Sequence, residues 1–170
     1  MQSVEAAQSS LPDTEDTAVS LNELQAFEVA TRDLAGLALR SIDRVGEGIS
    51  LPQFRLLLVV YEQGPCSSNE AARAMGLAAS SVTRLADRLT TSGYLARGAD
   101  PANRSIVTLN LTPSGRALVG KVIRRRRHEL SKLLSLLDPD VRAACAHGLH
   151  ELHAKIGDKY TIGTQGLMPL

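Results

Sequence analysis

Residues Leu77–Thr112 read LAASSVTRLADRLTTSGYLARGADPANRSIVTLNLT, and this stretch decides the fold. Within it, Val82, Leu85, Ala86 and Leu89 recur at i, i+3, i+4 and i+7. That is the spacing of one inward face of a helix over 79–92. Ser80, Ser81, Thr83, Arg84, Asp87 and Arg88 fall outside that face, and Gly93 stops the helix. Leu95–Ala99 and Ser105–Leu111 then read as two short strands joined by a turn on Asp100-Pro101. In the second strand Val107, Leu109 and Leu111 alternate with their neighbours, which predicts that these three point inward.

Upstream, Ser67-Ser68-Asn69-Glu70 follows the capping-box pattern and opens a short helix over 68–75 that ends at Gly76. Leu51-Pro52 opens another, with Phe54, Leu57, Leu58 and Tyr61 inward, and Gly64-Pro65 ends it. Before that, Leu24, Phe27, Leu34, Leu37, Ala38, Ile42 and Val45 lie near helical spacing and predict a helix over 21–46, stopped by Gly46 and Gly48. Downstream, Thr112-Pro113 pairs an N-cap with a first-turn proline and starts a long helix rich in Leu and Val. Asp138-Pro139 repeats that chemistry for a last helix with Val141, Cys145, Leu149, Leu152 and Ile156 on one face.

The expected fold is therefore mainly α with a small β-wing, in the order α-α-α-α-β-β-α-α: a winged helix-turn-helix reader over 51–112, flanked by helices over 21–46 and 113–157. Residues 1–20 are polar, Ser-rich and acidic and predict a flexible tail. Residues 158–170 read as a second tail. The flanking helices carry more aliphatic surface than the reader can cover, so they are expected to pack on a second copy as dimerisation helices. Aromatic residues make up 3% of the chain and Trp is absent, so aliphatic side chains must supply the core, which favours helices.

A net charge of +1 hides an uneven distribution. Residues 70–127 hold eleven Lys or Arg against three acids, an excess of eight positive charges. A local excess of that kind points to a polyanion. The two cysteines give no disulfide framework, and neither a signal peptide nor a long apolar run is present. The expectation is a cytoplasmic protein that does not engage membranes.

Several segments together resemble the MarR (multiple antibiotic resistance regulator) family of bacterial transcription factors. They are Leu51-Pro52-Gln53-Phe54-Arg55-Leu56-Leu57, Ser80–Leu89, Gly93-Tyr94-Leu95, Asp100–Arg104 and Leu109–Gly115. The resemblance covers about residues 21–157. It implies an obligate homodimer on a pseudo-palindromic double-stranded DNA operator, with recognition helices in successive major grooves and wings in the flanking minor grooves. It further implies a repressor released by a small aromatic or phenolic effector bound between the dimerisation and reader regions. Three positions depart from the family pattern. Ala78 and Ala79 stand where relatives usually carry a polar cap and often Pro, Asn103 replaces a common Asp, and Ser105 replaces a common second Arg.

The residues expected to bind DNA are Ser68, Asn69, Ser80, Ser81, Thr83, Arg84, Arg88, Arg97, Arg104 and Ser105. Arginine offers a fork that fits guanine O6 and N7, so Arg84 is assigned to a base edge and Arg88 to phosphate or base, with an ion pair to Asp87 or a neighbour as the alternative for each, more so for Arg88. Ser80, Ser81 and Thr83 suit phosphate at a helix start, or plain capping. Ser68, Asn69 and Arg97 are phosphate candidates, Arg104 belongs at the minor groove, and Asp100 pairs with it to hold the wing. The run Arg124–Arg127 is assigned to interface ion pairs with Glu23, Glu28 and Asp33. An effector pocket, following the resemblance, includes Phe27, Ala30, Phe54, Leu58 and Val119.

No catalytic set, cofactor or metal site is expected. His147, His150 and His153 share a helical arc but do not converge easily from one helix. Cys66 precedes a helix N-terminus, which lowers a thiol pKa and leaves a redox-responsive regulator as an alternative. A protein-interaction module without a DNA target is a further alternative, which the basic excess disfavours. An enzyme built on a winged helix needs an additional cofactor domain, for which 170 residues leave no room.

Overall fold

The computed structural model describes residues 19–43, 48–99 and 105–157. The elements run α1 (Leu21–Asp43), α2 (Leu51–Gln63), β1 (Cys66–Ser67), α3 (Ser68–Met75), α4 (Ala79–Thr91), β2 (Leu95–Ala99), β3 (Val107–Leu111), α5 (Pro113–Leu134) and α6 (Pro139–Ile156). The expected order holds, with one addition. Strand β1 is two residues long and too short for any periodic signal, yet it pairs with β3 to give an antiparallel sheet ordered β1-β3-β2. Both predicted tails and the expected stop at Gly46 lie outside the described residues, apart from Val19 and Ser20.

Contacts divide the chain into two units, one up to Ala35 and one from Gly36 onward. In the first, α1 opens with a capping box: the Ser20 hydroxyl accepts from the Glu23 amide at 3.2 Å and the Glu23 carboxylate accepts from the Ser20 amide at 2.8 Å. The Ser20 hydroxyl and amide hold the Glu23 carboxyl below its ordinary pKa. Leu24, Phe27 and Leu34 on this part of the helix are exposed.

In the second unit the core is aliphatic. Helix α2 lies at its centre and buries Phe54, Leu56, Leu57, Val59 and Val60, a wider face than the four positions read from spacing. A helix surrounded by its own domain needs apolar residues nearly all round. Leu58 and Tyr61 are half-buried and pack on that core. Against α2 stand Ala71, Ala72 and Met75 of α3, Val82, Ala86 and Leu89 of α4, Leu95 and Leu109 of the sheet, and Leu118, Val119 and Val122 of α5. Leu37 and Ile42, at the end of α1, are also buried.

The β3 reading needs correction. Leu109 is buried and Leu111 half-buried, but Val107 is 51% exposed while Thr108 is buried. Val107 lies opposite Ala99, where the hairpin extends past the core, while Thr108 also pairs with Ser67 of β1. Alternation therefore loses its inside and outside at the distal end of the strand.

Candidate nucleic-acid interface

Helices α3 and α4 form a helix-turn-helix, and each of its joints has an identifiable cause. Ser67 and Glu70 make the expected capping box, with the Ser67 amide 2.7 Å from the Glu70 carboxylate. Gly76 takes the left-handed conformation at φ +65°, which a side chain rarely adopts, and ends α3. The Leu77 amide reaches back to the Ala72 carbonyl at 3.0 Å and closes the turn. Helix α4 then begins at Ala78 with no side-chain cap, as the departure at this position implied.

On α4, Val82, Ala86 and Leu89 are wholly buried and Leu85 is half-buried. Ser80, Ser81, Arg84, Asp87 and Arg88 are exposed. At 100° per residue these five positions share an arc of about 120°. The buried stripe thus fixes the helix rotation and leaves two arginines one turn apart facing outward, with two hydroxyls at the helix start. Thr83 is half-buried and donates its hydroxyl to the Ala79 carbonyl at 3.0 Å, so its proton is committed within the helix.

Asp87 is the acid in this basic stripe, and Arg97 of β2 pairs with it at 2.5 Å. The pair neutralises the carboxylate and ties the root of the wing to α4. It leaves Arg88 without the Asp87 partner considered above. Among the described residues, neither Arg84 nor Arg88 has an ion pair. Arg97 therefore has a structural partner inside the chain, in addition to any anion it meets. Ser68 is half-buried and Asn69 exposed, both in the first turn of α3. Ser105 is exposed just before β3. Asp100 and Arg104, at the tip of the wing, lie outside the described residues.

The sheet and α5 brace this surface. Strand β1 joins the start of α3 to the wing through Cys66–Leu109 and Ser67–Thr108 pairing. The Thr112 hydroxyl donates to the Gly93 carbonyl at 2.7 Å and accepts from the Gly115 amide at 3.0 Å. One side chain thus caps α5 and holds the turn that follows α4. Gly115 packs so tightly here that a Cβ would sit 2.1 Å from the Tyr94 carbonyl oxygen. Arg116 lies over the Tyr61 ring at 5.6 Å and adds a cation–π contact between α5 and α2.

The other assigned residues fall elsewhere. Phe54 and Val119 are part of the packed core, and Leu58 packs on it. Phe27 and Ala30 are exposed on the first unit. A small cavity of about 130 Å³ is lined by Leu37, Arg40, Ser41, Arg125, Glu129 and Leu133. Arg125 pairs with Glu129 at 2.8 Å, one turn along α5. Cys66 is buried, and that burial, with Glu70 beside it, pushes its thiol pKa up, the opposite of the shift expected from the helix start. The correction has a simple cause: Cys66 lies in β1 against the core, so desolvation outweighs the helix field. His147, His150 and His153 are exposed on α6. Among the described residues no three His, Cys, Asp or Glu side chains are grouped to hold a metal ion, and no helix is long and apolar enough to cross a membrane.

Residues 47–104 match the family profile described as MarR family. The HTH-type transcriptional regulator TtmR of Methylorubrum extorquens (strain PA1) is 30% identical over 157 residues, covering 84% of this chain and 74% of the relative. The chain spans 63% and 64% of the length of two uncharacterized HTH-type regulators of Bacillus subtilis (strain 168). Among solved structures, RV1404 of Mycobacterium tuberculosis superposes with a TM-score of 0.77 at 28% identity, covering 86% of this chain and 99% of that one. BpsR of Bordetella bronchiseptica, whose DNA binding is regulated by 6-hydroxynicotinic acid, is 25% identical with a TM-score of 0.53, covering 83% and 96%. With a helix-turn-helix, a wing and a relative alike along most of both chains, the protein belongs to the MarR family of winged-helix transcriptional regulators.

Proposed function

We propose that this protein is a cytoplasmic, dimeric repressor that binds a pseudo-palindromic operator and releases it when a small aromatic or phenolic molecule binds. The observation that carries the reading is α4 itself: Val82, Ala86 and Leu89 are sealed in the core, and Ser80, Ser81, Arg84 and Arg88 face outward on one arc. In this reading Arg84 meets a base edge, Arg88 a base or phosphate, and Ser80 and Ser81 phosphate, while the wing reaches the minor groove with Arg104 and Ser105. Ser68, Asn69 and Arg97 add phosphate contacts. Residues 51–112 act as the reader, and the helices over 21–46 and 113–157 as the dimerisation region.

One observation supports the second copy. Helix α6 buries none of its residues, although Val141, Leu149, Leu152 and Ile156 are apolar. Release by an effector rests on family membership and on what is described for BpsR.

Binding of purified protein to fragments selected from genomic DNA, with calf-thymus DNA as competitor, tests the reading. Arg84→Ala should cost about 1–3 kcal/mol of specific binding and relax one operator position. Binding with no preference among duplexes at physiological salt, or an isotherm unchanged by Arg84→Ala, would overturn it.

A further inference from the structure

The start of α4 lacks a side-chain cap, and the turn before it is held from a different helix. Arg55 of α2 donates from Nη2 to the Met75 carbonyl at 3.1 Å. Met75 is the last residue of α3 and is 4% exposed. The local closure of α3 uses other carbonyls: Gly76 donates to Ala72 and Arg73, and Leu77 to Ala72. The Met75 carbonyl therefore receives from outside the turn what the turn does not supply.

On the other side of the turn, Ala78 has nearly the backbone of three residues that do cap with a hydroxyl. Its φ and ψ are −67° and 141°, against −74° and 157° for Ser50, −73° and 160° for Ser67, and −71° and 166° for Thr112. At each of those sites the hydroxyl receives the third helical amide. At α4 the Ser81 amide turns to the Ala78 carbonyl at 3.0 Å, the same oxygen that accepts from Val82 at 3.2 Å. The pivot of the recognition helix is thus held by one shared carbonyl and by a guanidinium rooted in the core helix.

We propose that Arg55 is a positioning residue for DNA recognition, a clamp from α2 that sets the angle at which α4 presents Arg84 and Arg88. Its Nε is buried with no hydrogen-bond partner, so the side chain is placed for the Met75 carbonyl and not spread over several acceptors. A charged donor on the carbonyl of a buried residue is among the stronger protein hydrogen bonds. Its loss would let the turn move without emptying the core. The clamp acts through α4, so it serves discrimination between sequences and leaves the general attraction to phosphate unchanged.

The inference rests on the DNA-binding reading, and two measurements separate their failures. In the first, Arg55→Met keeps the apolar stem and removes the donors. The ratio of operator to calf-thymus affinity is expected to fall about tenfold, with non-specific affinity and the salt slope unchanged. Arg55→Lys, which keeps one charged donor, is expected to stay within about threefold of wild type. A salt slope lowered by about one would make Arg55 a phosphate contact and overturn the proposal. An unchanged ratio in Arg55→Met, a Lys variant as impaired as the Met variant, or loss of the fold in Arg55→Met would each overturn it as well. The second measurement is amide hydrogen exchange of residues 76–81 without DNA. It is expected to quicken in Arg55→Met while core amides of α2 hold their rates. Wild-type protein that shows no preference among duplexes would sink the DNA reading alone. Unchanged exchange at the turn would sink the clamp, whatever the DNA result.

Discussion

Helices α4 and α6 both carry an apolar stripe at helical spacing, yet they end in opposite conditions. On α4, Val82, Ala86 and Leu89 are 0% exposed. On α6, Val141, Leu149, Leu152 and Ile156 are between 39% and 53% exposed, and nothing on the helix is buried. The difference teaches that spacing announces a face and says nothing of what covers it. For α4 the cover is α2 and the sheet of the same chain. For α6 the proposed cover is a second chain, and the two helices should then fail in different ways when damaged.

The largest effect belongs to the self-contained region. Leu57 is fully buried at the centre of the core, and Leu57→Ala should destabilise the fold by about 2–5 kcal/mol, read by denaturant unfolding. A loss below about 1 kcal/mol would mean that the reader's core is loose, and the contrast with α6 would weaken. Next comes Gly115→Ala. Its new Cβ meets the Tyr94 backbone oxygen, and not only the Leu111 side-chain tip, so the backbone at Tyr94 or α5 must shift. Overpacking of this kind costs about 1–3 kcal/mol. Because Thr112 and Gly115 join α5 to the turn after α4, operator affinity should fall with stability.

A charge on the other region should behave differently. Leu152→Lys is expected to leave the unfolding of the monomer within about 0.5 kcal/mol of wild type, since Leu152 is exposed and packs on no core of its own chain. Association should weaken by roughly tenfold or more, read by sedimentation across a dilution series. Equal association in wild type and variant would remove α6 from the interface. A variant that unfolds instead would show that α6 has a cover within its own chain.

What the residues disclosed follows the same division. Helix existence, the Thr112 and Asp138 starts, the Ser67–Glu70 box and the α4 stripe were legible because each is local. The boxes at Ser20–Glu23 and Ser50–Gln53 are equally local and carry the same signal. Strand β1 was hidden because two residues hold no period. Arg55 and the Arg97–Asp87 pair were hidden for a deeper reason: each joins residues ten or more apart, and only the fold decides which carbonyl or carboxylate comes within reach. Cys66 was misjudged by the same gap, since its helix start was visible and its burial was not.

The smallest predicted effect tests the reader at a helix start that no side chain caps. Ala78 already has the extended backbone of a capping residue, so Ala78→Ser demands no new conformation. The added hydroxyl can take the Ser81 amide and leave the Ala78 carbonyl to Val82. Stabilisation of about 0.5–1 kcal/mol is expected, read as a higher denaturant midpoint at an unchanged slope. If α4 is as settled as its buried stripe implies, the gain should appear as stability alone, with operator affinity unmoved. A gain in operator affinity would mean that the recognition helix of the free protein samples other angles, so that the region set against α6 as self-contained is itself completed by what it binds. No gain at all would place the strength of this joint entirely on the α2 side, with the Met75 carbonyl and its guanidinium.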